Sequence, residues 1–292
     1  MPQILPLAAV QAEPRRIDEP LSAFEAEVSA TLESHPESQL VIFPELHLFG
    51  DGVPDQQRTE ALQEAAQPLD GRLVRELQQL AGDLKVWLVP GSICERGREG
   101  QLFNTALALS PEGKLAASYR KIFPWRPHEP YDPGDQFVTV DLDGFGRAGL
   151  SICYDAWFPE VSRQLAWMGA DVIVNVVKTT TKDRAQELVL ARASAITNQI
   201  FVVSVNCAGP TGRGHSLIVD PEGGVIDALD DDASGILPAQ LDRAHVQKVR
   251  SHGTAGLNRM WSQFHSHEAP IELPVYQGRI NPSTWDPQNH GQ

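Results

Sequence analysis

The 292-residue chain predicts an α/β fold in which two sheets pack face to face, each covered on its outer side by helices. Two observations carry this expectation. Apolar runs of strand length alternate with segments that are apolar on one helical face. The order helix, strand, strand, turn also occurs twice, as a chain built from two similar halves requires. In the first half a helix with Leu73, Leu77 and Leu80 on one face precedes Val86-Trp87-Leu88-Val89-Pro90-Gly91, then Phe103-Asn104-Thr105-Ala106-Leu107-Ala108-Leu109 and the turn Pro111-Glu112-Gly113. In the second, a helix through Leu188, Ala191, Ala195 and Ile196 precedes Ile200-Phe201-Val202-Val203-Ser204-Val205, then His215-Ser216-Leu217-Ile218-Val219 and the turn Pro221-Glu222-Gly223.

Taken in order, the remaining elements fit the same plan. Residues 1–10 form a short apolar run broken by prolines, which reads as a first strand and not as a signal peptide, since no basic start precedes it. An outer-layer helix follows, with Leu21, Phe24, Val28 and Leu32 on one side. Gln39-Leu40-Val41-Ile42-Phe43-Pro44-Glu45 is an apolar strand that ends in a carboxylate, and Tyr119-Arg120-Lys121-Ile122-Phe123-Pro124-Trp125 sets a lysine among aromatic and proline residues. Ala148-Gly149-Leu150-Ser151-Ile152 reads as a small-residue buried strand. Pro159 then suits a first helical turn, with Val161, Leu165 and Met168 at helical spacing up to Gly169. This places Cys153 at a strand-to-helix junction, where backbone N–H groups and a helix dipole are expected to lower the thiol's pKa. A further strand, Asp171-Val172-Ile173-Val174-Asn175-Val176, leads to Lys178, Lys182 and Arg184.

The motifs VIFPELHLFG, YRKIFPW and GLSICYDAWFPE, in that order, resemble those of the nitrilase superfamily, the carbon-nitrogen hydrolases. The resemblance runs from about residue 5 to about residue 260 and implies a four-layer α-β-β-α sandwich with a Glu-Lys-Cys catalytic set. Carried over residue by residue, it makes Cys153 the nucleophile, Glu45 the general base and Lys121 the holder of the oxyanion, with the backbone N–H of Tyr154 as its partner. Glu129, eight positions after Lys121, looks like the glutamate with which the aliphatic amidase branch positions substrate and lysine. By the same comparison Trp125 and Tyr131 would line the substrate pocket; Thr179 occupies a stretch that resembles the family's pocket wall, and Asp155 and Trp157, close to Cys153, are further substrate-binding candidates. The bare chemistry also allows Thr179 to satisfy backbone groups at a strand exit and Asp155 to cap the following turn.

Family nitrilases carry tryptophan and glutamate directly after the nucleophile, whereas this chain has Cys153-Tyr154-Asp155. The pattern is closer to the amidases and N-carbamoyl hydrolases, so hydrolysis of a small amide is expected, with N-carbamoyl hydrolase and nitrilase as alternatives. Lys178 is a candidate for binding a substrate carboxylate, and Lys182 and Arg184 lie near it on a segment that equally suits a solvated face. A catalytically silent binding scaffold would have lost one of the four site residues, and Glu45, Lys121, Glu129 and Cys153 are all present.

Composition narrows the remaining classes. A formal charge of −14, from 38 acids against 24 bases, argues against nucleic acid as a partner. No apolar run approaches bilayer-spanning length, so no membrane partner is expected. Cys94, Cys153 and Cys207 are widely spaced and odd in number, which suits a reducing, cytoplasmic compartment. Cys94 and Cys207 read as buried small hydrophobes. No HExxH, Walker or dinucleotide pattern occurs, so neither metal nor other cofactor is expected. One hydrolase domain over residues 1–260 is expected, followed by a C-terminal arm over 261–292 whose Trp261, Phe264, Tyr276 and Trp285 suit docking on a partner subunit. The resemblance implies a homodimer or higher homo-oligomer.

Overall fold

A computed structural model describes residues 3–50, 55–263, 265–272 and 278–279. In chain order the elements are β1 (Ile4–Gln11), α1 (Leu21–Ser34), β2 (Leu40–Ile42), α2 (Asp55–Ala65), α3 (Arg72–Leu84), β3 (Trp87–Val89), β4 (Ser92–Arg96), β5 (Leu102–Leu109) and β6 (Leu115–Arg120). The second half contains β7 (Thr139–Leu142), β8 (Gly146–Ile152), a 3-10 turn (Cys153–Trp157), α4 (Pro159–Trp167), β9 (Val172–Val177), α5 (Arg184–Asn198) and β10 (Phe201–Asn206). It closes with β11 (Leu217–Val219), β12 (Val225–Ala228), β13 (Gly235–Asp242) and α6 (Arg243–His252). One sheet has the order β13-β1-β2-β3-β5-β4, with β6 also pairing β5; the other runs β12-β11-β10-β9-β8-β7.

The period-two side-chain pattern sorts the core into layers. Leu5, Leu7 and Ala9 of β1, Leu40 and Ile42 of β2, Ala148, Leu150 and Ile152 of β8, Val172, Val174 and Val176 of β9 and Phe201, Val203 and Val205 of β10 form one cluster between the sheets. The alternate residues Val10, Val41 and Leu88 join Phe24 and Val28 of α1 and Val74 and Leu77 of α3. Ile173 and Val202 join Val161 and Leu165 of α4 and Ala191 and Ala195 of α5. The expected four-layer sandwich is therefore present. Strands β8, β9 and β10 are parallel and covered on both faces, which explains why Val172-Ile173-Val174 reads as an unbroken apolar run.

Several elements differ from the sequence expectation. Strand β2 stops at Ile42, because Pro44 has no N–H to continue a ladder, and Phe43 makes the last bond through its N–H to Val89 O at 2.9 Å. In the first half β4 intervenes between the two expected strands and pairs antiparallel with β5. The buried face of α5 runs through Arg184, Glu187, Ala191, Ala195 and Asn198, and Ile196 is exposed. Strand β13, which the sequence pattern did not signal, pairs antiparallel with β1 from Ile4↔Asp242 to Gln11↔Gly235, its Pro238 tolerated on a sheet edge.

Among the described residues no helix is long and apolar enough to cross a membrane. Trp261, the first aromatic of the expected arm, stacks over α4 and α6 of its own chain, 6.1 Å from Trp167 and under the guanidinium groups of Arg163 and Arg250. Phe264, Tyr276 and Trp285 lie outside the described residues.

Candidate active site

The C-terminal ends of three strands bring the predicted acid, amine and thiol to one end of the sandwich. Three residues beyond β2, Glu45 sits on a sharp bend. Leu46 has φ 51° and its N–H donates to Ser92 Oγ at 3.0 Å. Gly91, with φ 85°, packs so closely beneath the bend that a Cβ would lie 1.7 Å from Pro44 O, so only glycine fits. On the outer side Phe43 and His47 pack at 4.9 Å between ring centroids, and Glu27 of α1 holds His47 Nε2 at 3.0 Å. The bend carrying Glu45 is thus fixed from both sides.

Lys121 directly follows β6. Its N–H continues the pairing with β5 by donating to Asn104 O at 2.9 Å. The side chain is fully buried, and Nζ donates to Glu45 Oε1 at 3.0 Å and to Glu129 Oε1 and Oε2 at 2.8 and 2.9 Å. Glu129 closes the turn that begins at Trp125: Trp125 N donates to Glu129 Oε2 at 2.8 Å, and Glu129 N to Trp125 O at 2.9 Å. Burial alone would pull the ammonium toward neutrality. Glu45, the Cys153 sulfur and Glu129 outweigh it and hold the Lys121 pKa above the ordinary lysine range. Asn104, which the sequence reading did not single out, donates Nδ2 to Glu45 Oε1 at 2.7 Å. Its only signal was the Asn104-Thr105 polar pair in a largely apolar strand.

Cys153 opens the 3-10 turn at φ 45°, a left-handed conformation that is costly for a non-glycine residue. The α-helix proper starts six residues later, at Pro159, so Cys153 opens a 3-10 turn and does not stand at the first turn of that helix. The expected lowering of the thiol pKa is accordingly corrected: burial and the carboxylates of Glu45, Glu187 and Glu129 push it well up against the opposing pull of Lys121. A thiol in this setting needs a base to become a nucleophile.

Asp155 is also fully buried. It accepts hydrogen bonds from Ile152 N at 2.9 Å, Phe123 N at 3.0 Å and Tyr119 Oη at 2.8 Å. These contacts make it the brace that ties the Cys153 turn to the Lys121 strand, the capping reading of this residue. Burial raises its pKa to about 6, opposed by Lys121 and by those three donors. Tyr131 likewise lies in the core, its hydroxyl 3.5 Å from Cys94 Sγ. Trp125 is half-buried with its ring 4.4 Å from that of His128, and the half-buried Trp157 has its ring 6.0 Å from that of Tyr154. Cys94 and Cys207 are buried, which raises each thiol's pKa to about 12.

At the exit of β9, Lys178 is half-buried, and burial together with the neighbouring Arg58 lowers its pKa to about 8. Thr179 Oγ1 lies 3.7 Å from Cys153 Sγ and donates to Glu187 at 2.8 Å. Arg184 is not at a solvent-facing mouth: it is 2% exposed and bonds Glu187 Oε2 at 3.0 Å. A signal for this inward pair existed, since Glu187 stands four residues before Ala191 and eight before Ala195, in phase with the buried face.

Residues 7–251 match the family model Carbon-nitrogen hydrolase. The chain is 30% identical over 230 residues to a formamidase of Pseudomonas syringae, covering 77% of this chain and 66% of that protein. It is 32% identical over 208 residues to the deaminated glutathione amidase of Rattus norvegicus, covering 64% of this chain and 63% of that protein. The fold superposes on an amidase from Nesterenkonia sp. with a TM-score of 0.71 at 28% identity, covering 88% of this chain and 96% of that one. A variant of the amidase from Nesterenkonia sp. AN1 carries the acetamide moiety of fluoroacetamide added covalently at its active-site cysteine, and superposes with a TM-score of 0.69 at 27% identity over 85% of this chain and 94% of that one.

Proposed function

Because this chain belongs to the carbon-nitrogen hydrolase family, we propose that it is an amidase that converts a small linear carboxamide to the acid and ammonia through a thioester on Cys153. The observation that carries this reading is the buried Lys121 ammonium shared by Glu45 and Glu129, with the Cys153 thiol in the same electrostatic field. Glu45 takes the thiol proton as Sγ attacks the amide carbon. Both neutral and cationic donors to this carboxylate, Asn104 and Lys121, bond Oε1, which leaves the Oε2 side for proton exchange. Charge developing on the carbonyl oxygen meets Lys121 Nζ and the N–H of Tyr154. Return of the proton from Glu45 to nitrogen expels ammonia and leaves the thioester. Glu45 then deprotonates a water that attacks the same carbon, releasing the acid and restoring the thiol.

Glu129 acts through Lys121 as a positioning residue, keeping the amine charged and fixed by two hydrogen bonds. The relatives with amide-hydrolysing names support a small amide as substrate. N-carbamoyl amino acids form the second reading, favoured by Lys178, since a substrate carboxylate beside this half-buried amine would offset the burial that lowers its pKa. The test is ammonia release from formamide, acetamide, propionamide, N-carbamoyl amino acids and the matching nitriles, with mass spectrometry of the Cys153 peptide. Release from short amides with an acyl adduct on Cys153, both lost in Cys153→Ala, is expected. Wild-type rates in Cys153→Ala, or no turnover of any amide, would overturn the proposal.

A further inference from the structure

Beneath the nucleophile lies a second polar group that the mechanism above does not use. The Thr179 hydroxyl has a single proton, and both oxygens of Glu187 are within reach of it, at 2.8 and 2.9 Å. Glu187 is itself buried and held by Arg184 Nη1 at 3.0 Å. Arg184 in turn donates to Ser204 Oγ at 3.1 Å, Gly214 O at 3.2 Å and His215 O at 3.0 Å. Asn206 fixes the Thr179 backbone, accepting from Thr179 N at 2.9 Å and donating to Thr179 O at 3.3 Å. With its proton committed to Glu187, Thr179 Oγ1 presents only lone pairs to Cys153 Sγ, 3.7 Å away. It can accept from a thiol and cannot donate to a thiolate.

We propose that Thr179 and Glu187, anchored by Arg184, form a positioning unit that accepts the Cys153 S–H and keeps the resting nucleophile a neutral, oriented thiol until Glu45 removes its proton in the substrate complex. This deepens the amidase reading and rests on Cys153 being its nucleophile. The charged groups acting on the sulfur are Glu45 beyond β2, Lys121 beyond β6, Glu129 in the following turn, and Glu187 and Arg184 on α5. Of these, Glu187 alone is linked to it through a side-chain hydroxyl in the hydrogen bonds described. A neutral amide at 187 removes one negative charge from the environment of the sulfur. It also allows the Thr179 proton to swing toward sulfur, and both changes favour the thiolate.

The experiment is the pH dependence of Cys153 alkylation by iodoacetamide in the full-length protein, followed by mass spectrometry of the Cys153 peptide and independent of turnover. Glu187→Gln should move the midpoint down by about one pH unit, which makes alkylation about tenfold faster below it. Thr179→Ser, which keeps the hydroxyl, should retain the wild-type midpoint. A Glu187→Gln protein that melts like wild type with an unchanged or higher midpoint would overturn the proposal. Where Glu187→Gln does not fold, Thr179→Val reads the same quantity: a lower midpoint supports the unit and an unchanged or higher one overturns it. Alkylation does not require amide hydrolysis, so failure here leaves the amidase reading intact, and a protein inactive on every amide leaves this measurement valid.

Discussion

Replacing Lys121 with methionine isolates what the buried ammonium contributes. Methionine retains the length and apolar stem of the side chain and removes three hydrogen bonds, to Glu45 Oε1 at 3.0 Å and to Glu129 Oε1 and Oε2 at 2.8 and 2.9 Å. Glu45 keeps Asn104 and Glu129 keeps Trp125 N, but two carboxylates now share the site without their cation. Removing one partner of a buried ion pair costs about 3–5 kcal/mol. With an unfolding entropy of about 2 cal/mol/K per residue over 292 residues, that corresponds to a melting point about 5–8 °C lower. Loss of an oxyanion donor should also lower kcat/KM on a short amide by about a hundredfold or more. The sign of the pH dependence follows from the same geometry. Lys121 has its pKa raised in the fold, so its contribution is complete below the ordinary lysine value of about 10.4 and is lost only above it. Scanning calorimetry at neutral pH, with ammonia release measured in parallel, reads both effects. An unchanged melting point together with turnover within tenfold of wild type would refute the reasoning.

Three further outcomes are expected. Asp155 keeps its proton to about pH 6 in the fold, so its stabilising contribution is present below the unfolded carboxyl's pKa and is lost as pH rises through 6. The shift of about two units corresponds to about 3 kcal/mol, and Asp155→Asn should flatten the stability profile between pH 4 and 7 by up to that amount; parallel profiles would count against it. Glu129→Gln should lower kcat more than it lowers the melting point, because the amide can still accept one bond from Lys121; unaltered kinetics would remove Glu129 from the site. Light scattering should give a homodimer or larger assembly, since Trp167 and Val189 are 73% and 66% exposed on the outer helices; a monomer at micromolar concentration would refute this.

The candidate catalytic groups were legible because each stands just past a strand: Glu45 after β2, Lys121 after β6 and Cys153 after β8. A charged or nucleophilic residue at a strand end is conspicuous in one dimension. Groups acting from within elements were not. Asn104 and Tyr119 lie inside β5 and β6, and their roles depend on which partner strand end they meet. Arg184 was ambiguous for another reason: near a helix start, a charge reads as solvated until the buried face of α5 is known to include it together with Glu187. Asp155 shows the limit of reading a residue by its neighbour. It stands two residues after Cys153, yet its carboxylate is fully occupied by Ile152, Phe123 and Tyr119. The intervening strand β4 and the proline-bearing β13 escaped because their pairing, not their composition, defines them.

The pairing of β1 with β13 also bears on how the molecule forms. The first strand lies between β2 and a strand more than two hundred residues downstream. During synthesis β1 therefore waits with one flank open until residue 242 has emerged, a long-range closure that is slow to form and leaves a template for mispairing in the interval. Messages truncated before that point yield chains whose first sheet has an eight-residue gap along β1, and such fragments should accumulate as aggregates instead of as folded, partly active enzyme.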